Sequence, residues 1–371
     1  MKKIAFILFA SLVLSACSSA PQMEITVTNP SATERSYETV EIAWHDITPK
    51  LAGVLPDNIV VSDASGKQVP SQVVYEGQAE PQKLIFQASL AGKGNASFTI
   101  GEGIRDDYPV QAFGRYVPER LDDYAWENNR VAYRAYGPAL RDPKTPGIDV
   151  WVKSTERMVI DDWFAGKDYH TNHGEGMDAY KVGPTLGGGA SAPLIDEKLW
   201  LSGNYATQER LDNGPIRTTV KLTYAPFTAA GASVALEKII SLDANSYFNR
   251  VTETYSGSFE TIPIAVGVVL HDVKQQVTGN DYIAVTEALS DTKQPEVDGN
   301  ISLGVILPGA NETQEVQGHL LLVKNIRNGE QLVYWNGSGW SQAGIENNPA
   351  WVALLLQKRE EIGNPLIVTL K

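Results

Sequence analysis

The chain has 371 residues, 43% of them hydrophobic and 20% charged, enough apolar side chains for one large or two modest packed domains. Acidic residues outnumber basic ones by 44 to 31, a formal net charge of −13 at pH 7 that excludes a broad nucleic-acid or polyanion-binding face and leaves room only for a local basic pocket. The single cysteine, Cys17, excludes an intramolecular disulfide.

Lys2 and Lys3 precede a largely apolar run from Ile4 to Leu14, followed by Ser15, Ala16 and Cys17. A positive start, a short apolar stretch and small residues before the cut define a secretory signal over residues 1–17, too short to cross a bilayer as a helix. The cysteine after Leu-Ser-Ala resembles the lipid-modified cysteine of a bacterial lipobox. Ser18 is not the aspartate that retains such proteins, so sorting to the outer membrane with the protein facing the periplasm is expected, residues 18–22 acting as a tether.

From 23 to 103 the sequence reads as six short strands, including "MEITVTNP", "YETVEIAW" and "PQKLIFQASL", with β-branched and aromatic residues in near alternation between Asn, Pro and Gly punctuation. This predicts a small N-terminal β-sandwich. A composition change near Gly103 marks a domain boundary. Beyond it, from 104 to 371, long strands such as "RTTVKLTYAPF", "SVALEKIISL" and "IPIAVGVVLHD" recur with short turns, predicting a large antiparallel β-sandwich and an all-β protein. One helix is expected near the C-terminus, capped by Asn348, with Pro349 in its first turn and a stop at Gly363 and Pro365.

Chemistry-bearing residues gather in two stretches. The first, "YHTNHGEGMDAYKVGPTLGGGAS", carries His170, His173, Glu175, Asp178 and Lys181 and then a run of glycines. The histidines stand three apart with Gly174 and Gly176 breaking any helix, unlike the four-residue helical spacing of zinc proteases. A loop can still fold the two imidazoles and two carboxylates around a divalent ion, calcium or a transition metal, or use them as general acids and bases. The glycines call for close backbone approach or positive φ, which suits a substrate loop. In the second stretch, "RLDDYAWENNRVAYRAYGP", alternation puts Arg130 and Arg134 on one strand face, where paired guanidiniums can clamp a carboxylate, with Tyr133 on the other and Trp126 nearby as a stacking surface. His271 closes an apolar strand, a position where sandwiches mount catalytic groups.

The ordered segments "RYVPERLDDYAWENNRVAYRAYGPAL", "GIDVWVKS", "DYHTNHGEGMDAYKVGPTLGGGAS", "NGPIRTTVKLTY" and "ISLDANSYFNR" resemble the bacterial family called domain of unknown function 4861 over nearly the whole mature chain. The resemblance implies a main domain similar to the galactose-mutarotase-like β-sandwich of carbohydrate enzymes and a setting in the breakdown of uronic-acid polysaccharides such as pectin. It implies histidine and carboxylate acid-base roles, for which His170, His173, His271 and Glu175 are the catalytic candidates. Arg130, Arg134, Tyr133, Trp126, Asp178 and Lys181 are the candidates for holding an oligosaccharide. Lyase, hydrolase and epimerase chemistry all fit, and the competing class is a noncatalytic glycan-binding surface lipoprotein.

Overall fold

The computed structural model describes residues 21–371 except Lys167. The signal segment, Cys17 and most of the tether lie outside the described residues.

Two sheets form the small N-terminal sandwich. One has the order Ile367–Leu370, Gln22–Thr28, Asn95–Glu102, Ile59–Asp63 and Gln68–Val69, and the other the order Arg35–Ala43, Lys83–Leu90 and Ser71–Val74. Alternation along Gln22–Thr28 drives Met23, Ile25 and Val27 inward against Val40, Ile42, Phe86 and Phe98 while Glu24 faces water. The last strand departs from the expected partition. Ile367–Leu370 pairs antiparallel with Gln22–Thr28 rather than joining the large sandwich, and Leu366 and Val368 pack on the small core. Both ends of the described chain therefore close the same domain.

In the large domain a nine-stranded sheet runs Tyr205–Asp212, Arg217–Tyr224, Ala232–Asp243, Phe248–Gly257, Gln331–Trp340, Asn300–Ile306, Tyr282–Ala288, Val273–Thr278, with Phe227–Ala229 hairpinned on Ala232–Asp243. Two five-stranded sheets complete the sandwich. One is Lys198–Leu199, Gly188–Ile195, Thr261–Val269, His319–Arg327 and Glu312–Val316; the other is Gly176–Asp178, Ile148–Lys153, Ala132–Ala135, Asp123–Asn128 and Ala112–Val117. Residues of all three sheets, among them Trp126, Val150, Val266, Leu303 and Tyr334, share one core. The fold is an all-β sandwich, as the strand pattern predicts.

The glycine run works where the two five-stranded sheets meet. Gly187 has φ 58° and bridges to Ile148, whose carbonyl lies 2.3 Å from where a Cβ would stand, and a Cβ on Gly189 (φ 117°) would meet Asn336 at 2.5 Å. The close approach expected of these glycines is thus made to neighbouring strands, not to a ligand.

The C-terminal helix, Asn348–Gly363, is capped one residue earlier than expected. Asn347 accepts the N–H of Ala350, while the Asn348 side chain donates to Thr286 inside the protein. Trp351 and Leu355 seat the helix on Phe248, Ala284 and Ile306 of the nine-stranded sheet.

Candidate active site

The sheet containing Ala132–Ala135 is covered on both faces. Its inner face, with Tyr124, Trp126, Tyr133, Val150, Val152 and Met177, belongs to the main core. The outer face lies under the helix Ile160–Ala165 and the loop that follows it, and is partly apolar, with Val117, Ala125, Ala132 and Trp151 beneath Ile160, Trp163 and Phe164. Glu127, on the same face, pairs with the buried Lys153 at 2.6 Å and accepts the N–H groups of Val159 and Ile160, which starts the helix there.

Beside that apolar patch the outer face carries charge. Arg134 stands opposite Asp149 on the next strand, and Asp178 stands opposite Trp151 one strand further on. Arg134 Nη2 lies 2.7 Å from Asp149 Oδ2 and donates to Asp178 Oδ2 at 2.9 Å and to the Tyr136 hydroxyl at 3.1 Å. Its Nη1 reaches the Tyr169 hydroxyl at 3.4 Å, and its buried Nε has no hydrogen-bond partner, with Asp123 Oδ2 at 3.9 Å. The guanidinium also lies over the rings of Tyr136 and Trp151, at 4.7 and 5.7 Å. Asp123 enters this cluster through a sharp turn. Leu121 and Asp122 both take left-handed backbone (φ 54° and 64°), and Asp123 accepts the N–H of Gly137.

One guanidinium facing three buried carboxyls cannot balance them all. Burial pushes Asp178 well above the usual carboxylate range, helped by the neighbouring Asp149 and opposed by Arg134. Asp149 is raised by burial against the pull of Arg134, and Asp123 is pushed up by burial to about 6. All three carboxyls are thus pushed toward their protonated forms, and their titrations are linked through Arg134.

His170 sits at its mouth. The imidazole is 42% exposed; Nδ1 is 3.0 Å from the Asp178 carbonyl, to which it donates, and 3.7 Å from Asp178 Oδ2. That leaves Nε2 without a hydrogen-bond partner among the described residues. Tyr169 stacks between His170 and Trp151, and the exposed Arg120 lies over the Tyr169 ring at 5.4 Å.

A second dyad lies past Tyr180. His271 Nδ1 donates to Glu287 Oε1 at 2.7 Å, and the His271 backbone N–H donates to the other oxygen of the same, fully buried carboxylate. This fixes the tautomer and leaves Nε2 free on a ring that is 19% exposed. Tyr180 meets the His271 ring edge-on at 5.2 Å, and burial raises its hydroxyl well above the ordinary value with added repulsion from both Glu287 and Asp149. Tyr180 therefore stands between the two clusters. His319 nearby is a satisfied structural histidine, its Nδ1 donating to Gln317 and its Nε2 accepting the N–H of Leu186.

Several residues expected in the site lie elsewhere. Arg130 precedes the strand, in a turn closed by Asn128, and faces Glu156 at 3.4 Å, so no arginine pair forms. Arg134 is saturated by the protein's own acids and is not a free clamp for a substrate carboxylate. Trp126 and Tyr133 are sealed in the core, stacked on each other and bonded to Asn249 and Ser338, out of reach of any ligand. Glu175 is held outside by Arg157, and the exposed His173 hydrogen-bonds the Asp168 carbonyl, so neither joins His170. Lys181 is exposed one residue beyond Tyr180. The four side chains named for a divalent ion, His170, His173, Glu175 and Asp178, are therefore not gathered around one point. Among the described residues no group of three or more His, Cys, Asp or Glu is placed to hold an ion, and the space between the three aspartates is filled by the Arg134 guanidinium.

Asp149 and Glu287 are functional candidates that sequence inspection passed over. Each is the one acid inside an apolar strand, "IDVWVK" and "YIAVTEA", and that incongruity was the available signal.

The fold is that of a large β-sandwich protein with a buried cluster of ionisable groups on one sheet face. The chain belongs to the family described as domain of unknown function (DUF4861), whose model matches residues 27–368. It is 31% identical over 405 residues to "Uncharacterized protein P7" of Formosa agariphila, with both chains covered in full. Among solved structures it is similar to an alpha-mannosidase from Enterococcus faecalis V583 (TM-score 0.58, 10% identity, 95% of this chain and 46% of that one). It is also similar to a glycosyl hydrolase family 38 protein from Enterococcus faecalis (TM-score 0.57, 11% identity, 95% and 48%). The chain spans about half the length of those two proteins, and at such identity the likeness shows the fold alone.

Proposed function

We propose that this chain is a carbohydrate-active enzyme that works on uronic-acid-containing oligosaccharides, of the pectin type, by moving a proton at a sugar carbon or oxygen. The observation that carries the proposal is the placement of the buried Asp178 carboxyl, 3.7 Å from Nδ1 of the half-exposed His170 imidazole and raised by burial. A buried carboxyl with a raised pKa beside a partly exposed imidazole is a pairing that general acid-base chemistry uses. His170 Nε2 takes the proton from substrate, and Asp178, held in place by Arg134, backs the imidazole. Across Tyr180, His271 Nε2, with its tautomer fixed by Glu287, is the second proton-handling group.

Tyr136 offers a part-exposed ring for a sugar, and Arg120, lying over Tyr169 with no ion-pair partner among the described residues, is placed to meet a uronate carboxylate. The similarity of fold to proteins described as a mannosidase and a glycosyl hydrolase supports the substrate class. Lipidation at Cys17 and an outer-membrane location facing the periplasm belong to the same proposal and rest on the N-terminal sequence.

The test is turnover on saturated and unsaturated uronide oligomers, read by mass and by ultraviolet absorbance, which separate hydrolysis, elimination and epimerisation. His170→Ala and Asp178→Asn are each expected to lower kcat by about 100-fold or more while substrate binding changes little. Full activity in His170→Ala would end the proposal. Binding without turnover by the unaltered protein would favour a noncatalytic glycan-binding lipoprotein. Incorporation of labelled fatty acid, lost in Cys17→Ser, checks the anchor.

A further inference from the structure

The small sandwich, the nine-stranded sheet and the C-terminal helix enclose an open cleft of about 790 Å³ that none of the Arg134 cluster lines. Its floor is the outer face of the nine-stranded sheet. Across that face Ser241 stands opposite Arg250, and Arg250 opposite Trp335. Residues opposed on neighbouring antiparallel strands project side by side, so a hydroxyl, a guanidinium and an indole form one row along the cleft floor. Tyr37 stands on the facing wall, 58% exposed and held at φ 55° where the pairing of its strand shifts register between Arg35 and Glu38.

The charges lining the cleft are matched with few exceptions. Glu38 pairs with Arg35, Glu41 with Lys83 and Arg217, Asp243 with Arg217, and Glu361 with Lys358. Arg250 is exposed and has no carboxylate partner among the described residues, and Arg130 has only Glu156, itself 68% exposed. Four acids and four bases line the cleft, so it is neutral overall in a protein whose net charge is −13, and Arg250 is left available to a ligand. No histidine lines it, and its acids are tied up in ion pairs.

We propose that this interdomain cleft is a noncatalytic binding site for anionic sugar units. A pyranose face stacks on Trp335, its carboxylate or sulfate is held by Arg250, and Arg130 meets the charge of a neighbouring unit. The volume lies in the range of small-ligand pockets, which favour domain boundaries, and an indole beside an unpaired guanidinium suits a ring that carries negative charge. The proposal goes beyond the acid-base site and shares with it only the choice of probe.

The test titrates the full protein calorimetrically with an oligogalacturonate, a sulfated oligosaccharide of equal length and a neutral one. Arg250→Ala is expected to weaken the acidic ligands about tenfold or more and to leave the neutral one unchanged, whereas Trp335→Ala weakens all three. Arg250→Lys should restore part of the acidic binding. The acidic ligand held more tightly identifies the anionic group. His170→Ala should bind as the unaltered protein does, so failure at the acid-base site and failure here are read separately. A Kd for both acidic ligands within twofold of the unaltered protein in Arg250→Ala, or no binding of any of the three by the unaltered protein, overturns the proposal.

Discussion

Replacing Arg134 by methionine keeps the apolar stem and removes the one cation among Asp123, Asp149 and Asp178. Two of these carboxyls lie 2.7 and 2.9 Å from the lost nitrogen, and deleting one member of a buried ion pair costs about 3–5 kcal/mol. The cost must depend on pH. Burial raises all three carboxyls, Asp123 to about 6, so the cluster gains negative charge as pH rises from 5 to 8 and the variant must bury more charge that nothing offsets at the upper end. The loss at pH 8 should therefore exceed that at pH 5 by roughly 1–3 kcal/mol, since one pKa unit on one carboxyl corresponds to about 1.4 kcal/mol. If roughly 250 residues of the large sandwich unfold together, the unfolding entropy is about 0.5 kcal/mol/K, and 4 kcal/mol lowers Tm by about 8 °C. Calorimetric scans of both proteins at pH 5 and pH 8 check this. An equal loss at the two pH values, or a larger one at pH 5, would refute the account of a guanidinium holding down crowded carboxyls.

Asp123, pushed up to about 6, stabilises the fold most in its protonated form, so its contribution is complete below about pH 4 and is lost as pH rises through 6, a change of about 3 kcal/mol at most. Asp123→Asn should flatten that part of the stability profile in denaturant titrations from pH 4 to 7; a profile that keeps its full slope argues against the shift. Gly187→Ala must place a Cβ 2.3 Å from the Ile148 carbonyl at φ 58°, and a loss of about 2–4 kcal/mol in thermal or denaturant unfolding is expected. A loss below about 0.5 kcal/mol would mean that the two five-stranded sheets do not meet closely there.

The strand "VAYRAY" shows how much of the site was legible beforehand. Period-two alternation correctly separates Arg134 from Tyr133 and assigns each to a face. It says nothing about what covers each face. Because the sheet is buried on both sides, Tyr133 and Trp126 are core residues and Arg134 is enclosed rather than presented to a ligand. Arg130 fails for a local reason: the Asn128 side chain accepts the N–H groups of Arg130 and Val131 and closes a turn, so the alternation starts only at Ala132. The helix stop at Gly363 was readable, while the choice between Asn347 and Asn348 as cap depended on which one Thr286 holds inside. Pairing of Ile367–Leu370 with Gln22–Thr28 joins residues more than three hundred positions apart, a contact that local pattern does not encode.

The outer sheet face also bears on why charge is there at all. Val117, Ala125, Ala132 and Trp151, packed under Ile160, show that this face can be covered by ordinary apolar contacts. A buried ion cluster next to them is a poor source of stability, because desolvating each charge costs several kcal/mol and well-packed apolar residues of similar volume often do as well or better. Here the arrangement is less balanced still, with three carboxyls to one guanidinium and a guanidinium nitrogen, Nε, left without a hydrogen bond. What such a cluster supplies is a carboxyl with a raised pKa, 3.7 Å from a partly exposed imidazole, together with a strained turn at Leu121 and Asp122 that separates Arg120 outside from Asp123 inside. Those are features that acid-base chemistry uses and that packing alone does not require. The Lys238–Glu253 pair in the core provides the contrast: it is equally buried, but it is matched one to one, closed by Tyr334 and Ser191, and has no partly exposed imidazole bonded to it among the described residues.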